Sequence, residues 1–228
     1  MRVVIIAARN EADRIGATLD ALAAALPGAE LVVADDASTD ATAHVALQHG
    51  ARLVRGAARR GKGANVTAAA ESVMALAFED DPPTFLLCDA DLGGSAGELA
   101  KLCEAVERGE CDLAVAAFAQ RVGGGFGLAR GFAIWAIERL CGLRTSAPIS
   151  GQRAMRAEVF QVVVPFAAGF GMEIGITADA VRAGYRLREV ELELAHRATG
   201  RSPRGFVHRG RQLRDFARAY LSRRHAIG

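Results

Sequence analysis

The chain has no run of about 18 apolar residues free of charge, so none of it has the character of a bilayer-spanning helix. The nearest stretch, Phe126 to Leu143, is interrupted by Arg130, Glu138 and Arg139. The amino terminus lacks the long apolar core and cleavage site of a secretory signal, because Met1-Arg2-Val3-Val4-Ile5-Ile6 is followed closely by polar Arg9, Asn10 and Glu11. Cysteine is scarce. Cys88, Cys103, Cys111 and Cys141 stand apart with no CxxC pair and no interleaved histidine spacing, which argues against a zinc knuckle or a disulfide scaffold and fits a reducing compartment. Lysine is scarcer still: Lys62 and Lys101 stand against 26 arginines. Low-complexity segments are absent.

What is present is the composition of a soluble globular protein, with 51% hydrophobic and 24% charged residues. A chain of 228 residues buries about 70% of the surface its unfolded form exposes, enough for a core without staples, and one domain is the leading count. The net charge of +2 hides a segregation. From Arg197 to Gly228 there are nine arginines and one acid, Asp215, so the tail is strongly basic and the rest of the chain is acidic overall.

Val3 to Ala8 is a continuous apolar run, the pattern of a strand covered on both faces. Asn10 to Ala25 switches to helical spacing through Ile15, Leu19, Leu22 and Ala23, and Pro27-Gly28 stops it. Leu31 to Ala34 predicts a second strand ending in Asp35-Asp36, followed by a helix over Ala41 to His49 that Ser38 or Thr39 can cap. Residues 52–54 add a short strand, and Gly61-Lys62-Gly63 opens a helix through Met74 and Leu76. Asp80 to Pro83 turns the chain into strand Thr84 to Cys88, and helix Ser95 to Arg108 with strand Leu113 to Ala117 repeats the unit. This alternation predicts an α/β fold with a mostly parallel sheet and helices on both faces. The second half is less regular: a glycine-rich stretch at Gly123 to Gly127, a helix over Leu128 to Leu140, a loop at 144–151, and a short element from Glu158 to Val164. A helix over Met172 to Ala183 and an alternating strand over Tyr185 to Leu194 follow.

Chemistry concentrates at predicted strand ends. Asp89-Ala90-Asp91 follows the apolar run Phe85-Leu86-Leu87-Cys88, and alternation would set both carboxylates on one side, a hard-oxygen pair suited to Mg²⁺ or Mn²⁺. Ligand sites of open sheets lie at such carboxyl ends. At Asp35-Asp36 one carboxylate could accept hydrogen bonds from a base or ribose while its neighbour caps the turn through Ser38-Thr39-Asp40; plain capping is the other reading. Gly61-Lys62-Gly63 is not a P-loop, since the GxxxxGK[ST] frame is missing, yet it could offer amides and one ammonium to phosphate. With Arg59 and Arg60 it could equally be a solvated basic face.

Four segments in order resemble the successive motifs of the family 2 glycosyltransferases with the GT-A fold: Ile6-Ala7-Ala8-Arg9-Asn10-Glu11, Val33 to Thr42, Arg60-Gly61-Lys62-Gly63-Ala64, and Asp89-Ala90-Asp91. The resemblance covers roughly residues 1–197, taken as the catalytic domain, with 198–228 a basic loop and amphipathic helix. It implies transfer of a sugar from a UDP- or GDP-linked donor, with a divalent metal clamping the diphosphate. By position, Glu11 and Asp36 contact the nucleoside and Asp35 supports them. Lys62 lies toward base or phosphate, and Ala8, Asn10 and Ala90 complete the donor-binding set. Asp91 is the chief metal ligand and a catalytic residue, and Asp89 holds ribose or assists the metal. His196 is either a further metal ligand or a hydrogen-bonded strand-end residue.

Ser150-Gly151-Gln152-Arg153 resembles the acceptor segment of members that glycosylate polyprenyl phosphates, which makes a polyprenyl phosphate the expected acceptor and Arg153, with Arg156, its phosphate grip. Glu173 falls where inverting members place their base, or orients the site if the acceptor is already a phosphate monoester. Leu92-Gly93-Gly94 departs from the polar residue many of those members carry after DxD. On the tail, Leu213, Phe216, Tyr220 and Leu221 share one helical face beside arginines, either for reversible contact with an anionic membrane or for docking on the domain. The expected location is the cytoplasm, with visits to the inner face of the cell membrane. Nucleic acid is not an expected partner, because the tail has few aromatics and the acidic remainder repels a long polyanion. The alternatives are a sugar-phosphate nucleotidyltransferase and a non-catalytic, nucleotide-dependent protein of the membrane surface.

Overall fold

A computed structural model describes residues 1–75, 82–118, 127–194 and 203–224. Seven strands form one sheet: β1 (Arg2–Ala8), β2 (Glu30–Asp35), β3 (Arg52–Arg55), β4 (Thr84–Asp89), β5 (Leu113–Phe118), β6 (Arg153–Met155) and β7 (Leu187–Leu192). Their order is β3-β2-β1-β4-β6-β5-β7. Every neighbouring pair is parallel except those made by β6, which runs antiparallel to both β4 and β5. The α/β reading of the sequence holds.

The central strands read as unbroken apolar runs because both faces are covered. Successive residues alternate between two cores: Val4, Ile6, Leu86 and Cys88 face one, and Val3, Ile5, Phe85 and Leu87 the other. On the first side lie α1 (Ile15–Ala25), α2 (Thr42–Gln48) and α4 (Ala100–Glu107); on the second lie α3 (Lys62–Met74), α6 (Ala157–Val163) and α7 (Met172–Arg182).

Two local readings change. The helix expected over Ser95 to Arg108 begins as a 3₁₀ turn, Gly93–Leu99, and becomes α-helical only at Ala100. Gly93, at φ +54, starts the tighter winding. Strand β6, which the sequence did not suggest, begins at Arg153, the last residue of the segment read as the acceptor side. Three residues are too few to show alternation, and the fully buried Arg153 reads as surface.

The last helix, α8 (Pro203–Arg223), packs on α5 (Gly127–Cys141), on α7 and on the 3₁₀ turn Gly169–Gly171. Phe216 and Ala219 are buried, and Leu213 and Tyr220 join Ile137, Leu140, Ile174 and Ala178 in a third core. Arg223 seals the contact through Asp179 at 2.6 Å. The apolar face expected to meet a membrane is thus turned into the protein, and of its four residues only Leu221 is exposed. Among the described residues no helix is long and apolar enough to cross a membrane.

Candidate active site

The carboxyl ends of β1, β2 and β4 open onto a cavity of about 790 Å³. Strand register fixes its floor: Ala7 pairs with Asp89 and Ala8 with Asp35, so the three motifs end at one level. The Asp89-Ala90-Asp91 turn is pinned from α1, since Thr18 Oγ1 donates to the Ala90 carbonyl at 2.8 Å and Arg14 Nη1 to the Asp91 carbonyl at 3.1 Å. Nothing in the sequence marked Thr18 or Arg14 for this task.

Ala8, Glu11, Asp36, Lys62, Asp89, Ala90 and Asp91 all line the cavity. Asp36 accepts the backbone amides of Arg60 at 2.7 Å and Gly61 at 3.1 Å, which ties the β2 end to the start of α3. Asp35 does not line the cavity. It is fully buried, accepts the amide and hydroxyl of Ser38, and pairs with Arg55 at 3.2 Å, so its capping reading prevails. Asn10 is likewise a brace rather than a wall: at φ +52 it accepts the Thr39 amide at 2.8 Å and joins two loops.

Lys62 Nζ lies between Asp89 Oδ1 at 2.7 Å and Glu173 Oε1 at 3.0 Å. Burial acts against its charge, but the two carboxylates outweigh that cost and hold the Lys62 pKa above its ordinary value. The other Asp89 oxygen accepts from Gln152 Nε2 at 2.9 Å, and Gln152 is itself buried and linked to Ser150. Gly151 lies so close that a Cβ there would come within 2.6 Å of Lys62 Nζ and 2.8 Å of Asp89 Oδ2. The turn into β6 therefore completes a polar chain, Gln152–Asp89–Lys62–Glu173, buried at Gln152 and Glu173 and open to the cavity at Asp89 and Lys62. Glu173 does not line the cavity; it sits 5% exposed in the first turn of α7, behind Lys62.

Arg153 does not grip an acceptor. It is buried, donating to the Ser150 carbonyl and to Thr177 Oγ1, both at 2.8 Å, and burial lowers its pKa to about 10 against the pull of Glu173 and Glu189. It positions the β6 turn against α7. Arg156 lies at the far end of the sheet, 3.5 Å from Asp112, because antiparallel β6 carries it away from the cavity. Cys88, next to Asp89, is buried, and burial together with the Asp89 charge raises its pKa, which disfavours the reactive thiolate. Arg9, Arg59 and Arg60 also line the cavity, so the basic face beside Lys62 borders the site, and sequence reasoning missed that Arg214 and Arg218 of α8 join them.

For a divalent cation the donor set fits in one specific way. Asp91 presents a carboxylate to the cavity with no side-chain hydrogen bond or ion pair among the described residues, whereas Asp89 is engaged by Lys62 and Gln152. No cluster of three metal-ligating side chains exists among the described residues, and His196 lies outside them. Mg²⁺ commonly takes one or two carboxylates, keeps several waters, and completes its shell with substrate phosphates, which suits this floor. Asp91 could hold the ion with its free carboxylate, whereas the Asp89 carboxylate is engaged by Lys62 and Gln152 in this arrangement.

A mostly parallel sheet with donor-type carboxylates and a helix start facing one cleft defines the GT-A class of nucleotide-sugar transferases. The chain belongs to glycosyl transferase family 2, whose model matches residues 3–172. No curated protein matches it. Among solved structures it is similar to glucosyl-3-phosphoglycerate synthase from Mycobacterium tuberculosis. The complex with Mn²⁺, UDP-glucose and phosphoglyceric acid is 25% identical with TM-score 0.77, and the likeness covers 99% of this chain and 80% of that one. The complex with Mn²⁺, UDP and glucosyl-3-phosphoglycerate is 26% identical with TM-score 0.76, covering 98% and 79%. A third, with Mg²⁺ and UDP, has the same identity, score and coverage.

Proposed function

We propose that this protein transfers a sugar from a UDP-linked donor to a small phosphorylated acceptor, assisted by Mg²⁺ or Mn²⁺. The observation that carries the reading is the unengaged Asp91 carboxylate on a cavity floor shared with Glu11 and Asp36. Glu11 and Asp36 accept hydrogen bonds from the nucleoside, with Asp36 already oriented by two amides. The amino terminus of α3 turns its positive end toward the diphosphate. A metal held by Asp91 offsets the charge that builds as the diphosphate departs. Lys62, fixed between two carboxylates, orients the sugar side of the donor, and Glu173 acts through Lys62.

The acceptor is the finer part of the reading. The similar solved enzyme was captured with phosphoglyceric acid, and arginines on the cavity rim beyond those near the donor carboxylates favour a phosphate-bearing acceptor here. A polyprenyl phosphate has the same headgroup chemistry, but α8 gives most of its apolar face to the body of the protein, which favours the water-soluble acceptor. Incubation with UDP-glucose, Mn²⁺ and 3-phosphoglycerate or a short polyprenyl phosphate tests this. Release of UDP with a glycosylated soluble product supports the reading. Pyrophosphate release would favour a nucleotidyltransferase, and donor binding without turnover on any acceptor would favour the non-catalytic alternative.

A further inference from the structure

We propose that Arg214 and Arg218 of α8 form an anion subsite for the acceptor phosphate, an inference that rests on the transferase reading above. Both line the cavity, and four residues apart they share one helix face. Arg214 reaches only its neighbour Asp215, at 3.4 Å, and Arg218 has no ion pair or hydrogen bond among the described residues. Two guanidinium forks side by side match the oxygens of a phosphate monoester.

Three observations set these arginines apart from a merely solvated face. First, the helix that carries them is held in place: Phe216 and Ala219 are buried, and Arg223 bonds Asp179 through two nitrogens. Second, the contact with the cavity wall is tight. Asp215 accepts the Phe170 amide at 3.3 Å, and a Cβ on Gly171 would come within 2.8 Å of both Ala219 Cβ and the Asp215 carbonyl. Asp215 also lines the cavity, and its carboxylate is engaged by that amide and by Arg214. Third, α8 lies beyond residue 172, where the family match stops. The likeness to the solved enzyme captured with phosphoglyceric acid still covers 99% of this chain, α8 included, so a cationic wall here suits a phosphorylated acceptor. Asp36, Arg59, Arg60 and the start of α3 line the same cavity, and the transferase reading gives them to the donor.

The test uses the full chain loaded with UDP and Mn²⁺, titrated calorimetrically with inorganic phosphate and with 3-phosphoglycerate. The parent is compared with R214Q/R218Q, with R214K/R218K, and with a control, R108Q/R144Q, whose residues do not line the cavity. The glutamine pair should weaken both anions by about tenfold or more, with UDP affinity within about twofold of the parent. The lysine pair should recover part of the loss, and the control should match the parent. The inference is overturned if the glutamine pair binds the anions as the parent does, or if the parent binds neither. It is also overturned if UDP binding falls as far as anion binding, which would give the arginines to the donor diphosphate. Failure of the parent to bind UDP with Mn²⁺ would instead remove the transferase reading beneath it.

Discussion

Single side chains in this site do work their types did not announce. Asp89 and Asp91 look equivalent in sequence, yet one is locked between Lys62 and Gln152 and the other faces the cavity unengaged. Replacing Gln152 by Leu should therefore disturb Asp89 and Lys62 and lower turnover more than metal affinity; equal loss of both would give Gln152 a part in metal binding. Arg153 reads as an acceptor ligand because Ser150-Gly151-Gln152-Arg153 resembles the acceptor segment of polyprenyl-phosphate members. Its burial depends on Thr177 and the Ser150 carbonyl, which are 24 and 3 residues away and leave no joint mark in the sequence. R153A should cost about 1–3 kcal/mol of stability, since two buried acceptors lose their donor, with UDP affinity preserved in the folded fraction. Chemical denaturation beside UDP titration reads both. By contrast, Glu11, Asp36, Lys62 and Asp91 were legible, because strand ends and helix starts constrain where their side chains lie.

At the scale of elements, long apolar strands and amphipathic helices could be read because their periodicity repeats over several residues. Strand β6 could not, and it is the piece that reverses direction within the sheet and brings Gln152 to Asp89. Helix α8 had the right period but an undecided destination, and packing against α5 and α7 decides it. Phe216, 1% exposed, should cost about 3–5 kcal/mol when cut to alanine, while L221A, at an exposed position, should be nearly neutral. Thermal or urea unfolding checks the contrast, and similar losses at both positions would mean the helix is docked differently. Asp112 ties the start of β5 to Arg186, ahead of β7, through a backbone amide at 2.8 Å and a guanidinium at 3.2 Å. Burial pushes its pKa up, but bonds from Arg186 and the charges of Arg186 and Arg156 overcome this and leave it lowered. With the folded value below the unfolded one, the contribution is full above about pH 4 and fades as the pH falls through the folded value. D112N should therefore unfold at a lower temperature than the parent at pH 7, with the gap closing toward pH 3.

For the whole molecule, charge is arranged by fold rather than by sequence block. The basic tail and the acidic body, segregated along the chain, meet at one cavity lined by Arg214 and Arg218 as well as Asp36, Asp89 and Asp91. A tail read by itself points to an anionic membrane; a tail folded back becomes one wall of the site. The carboxylates come from motifs that resemble a family pattern, whereas the α8 arginines join the cavity from a segment distant in sequence, which is why only the former were legible. The central claim is that donor binding depends on a metal held by Asp91. Isothermal titration of UDP into the parent and into D91N, each with Mn²⁺ and with chelator, tests it most directly. The account predicts that Mn²⁺ strengthens UDP binding to the parent and has little effect on the folded variant, whereas a variant that keeps the parent's full metal dependence would contradict it.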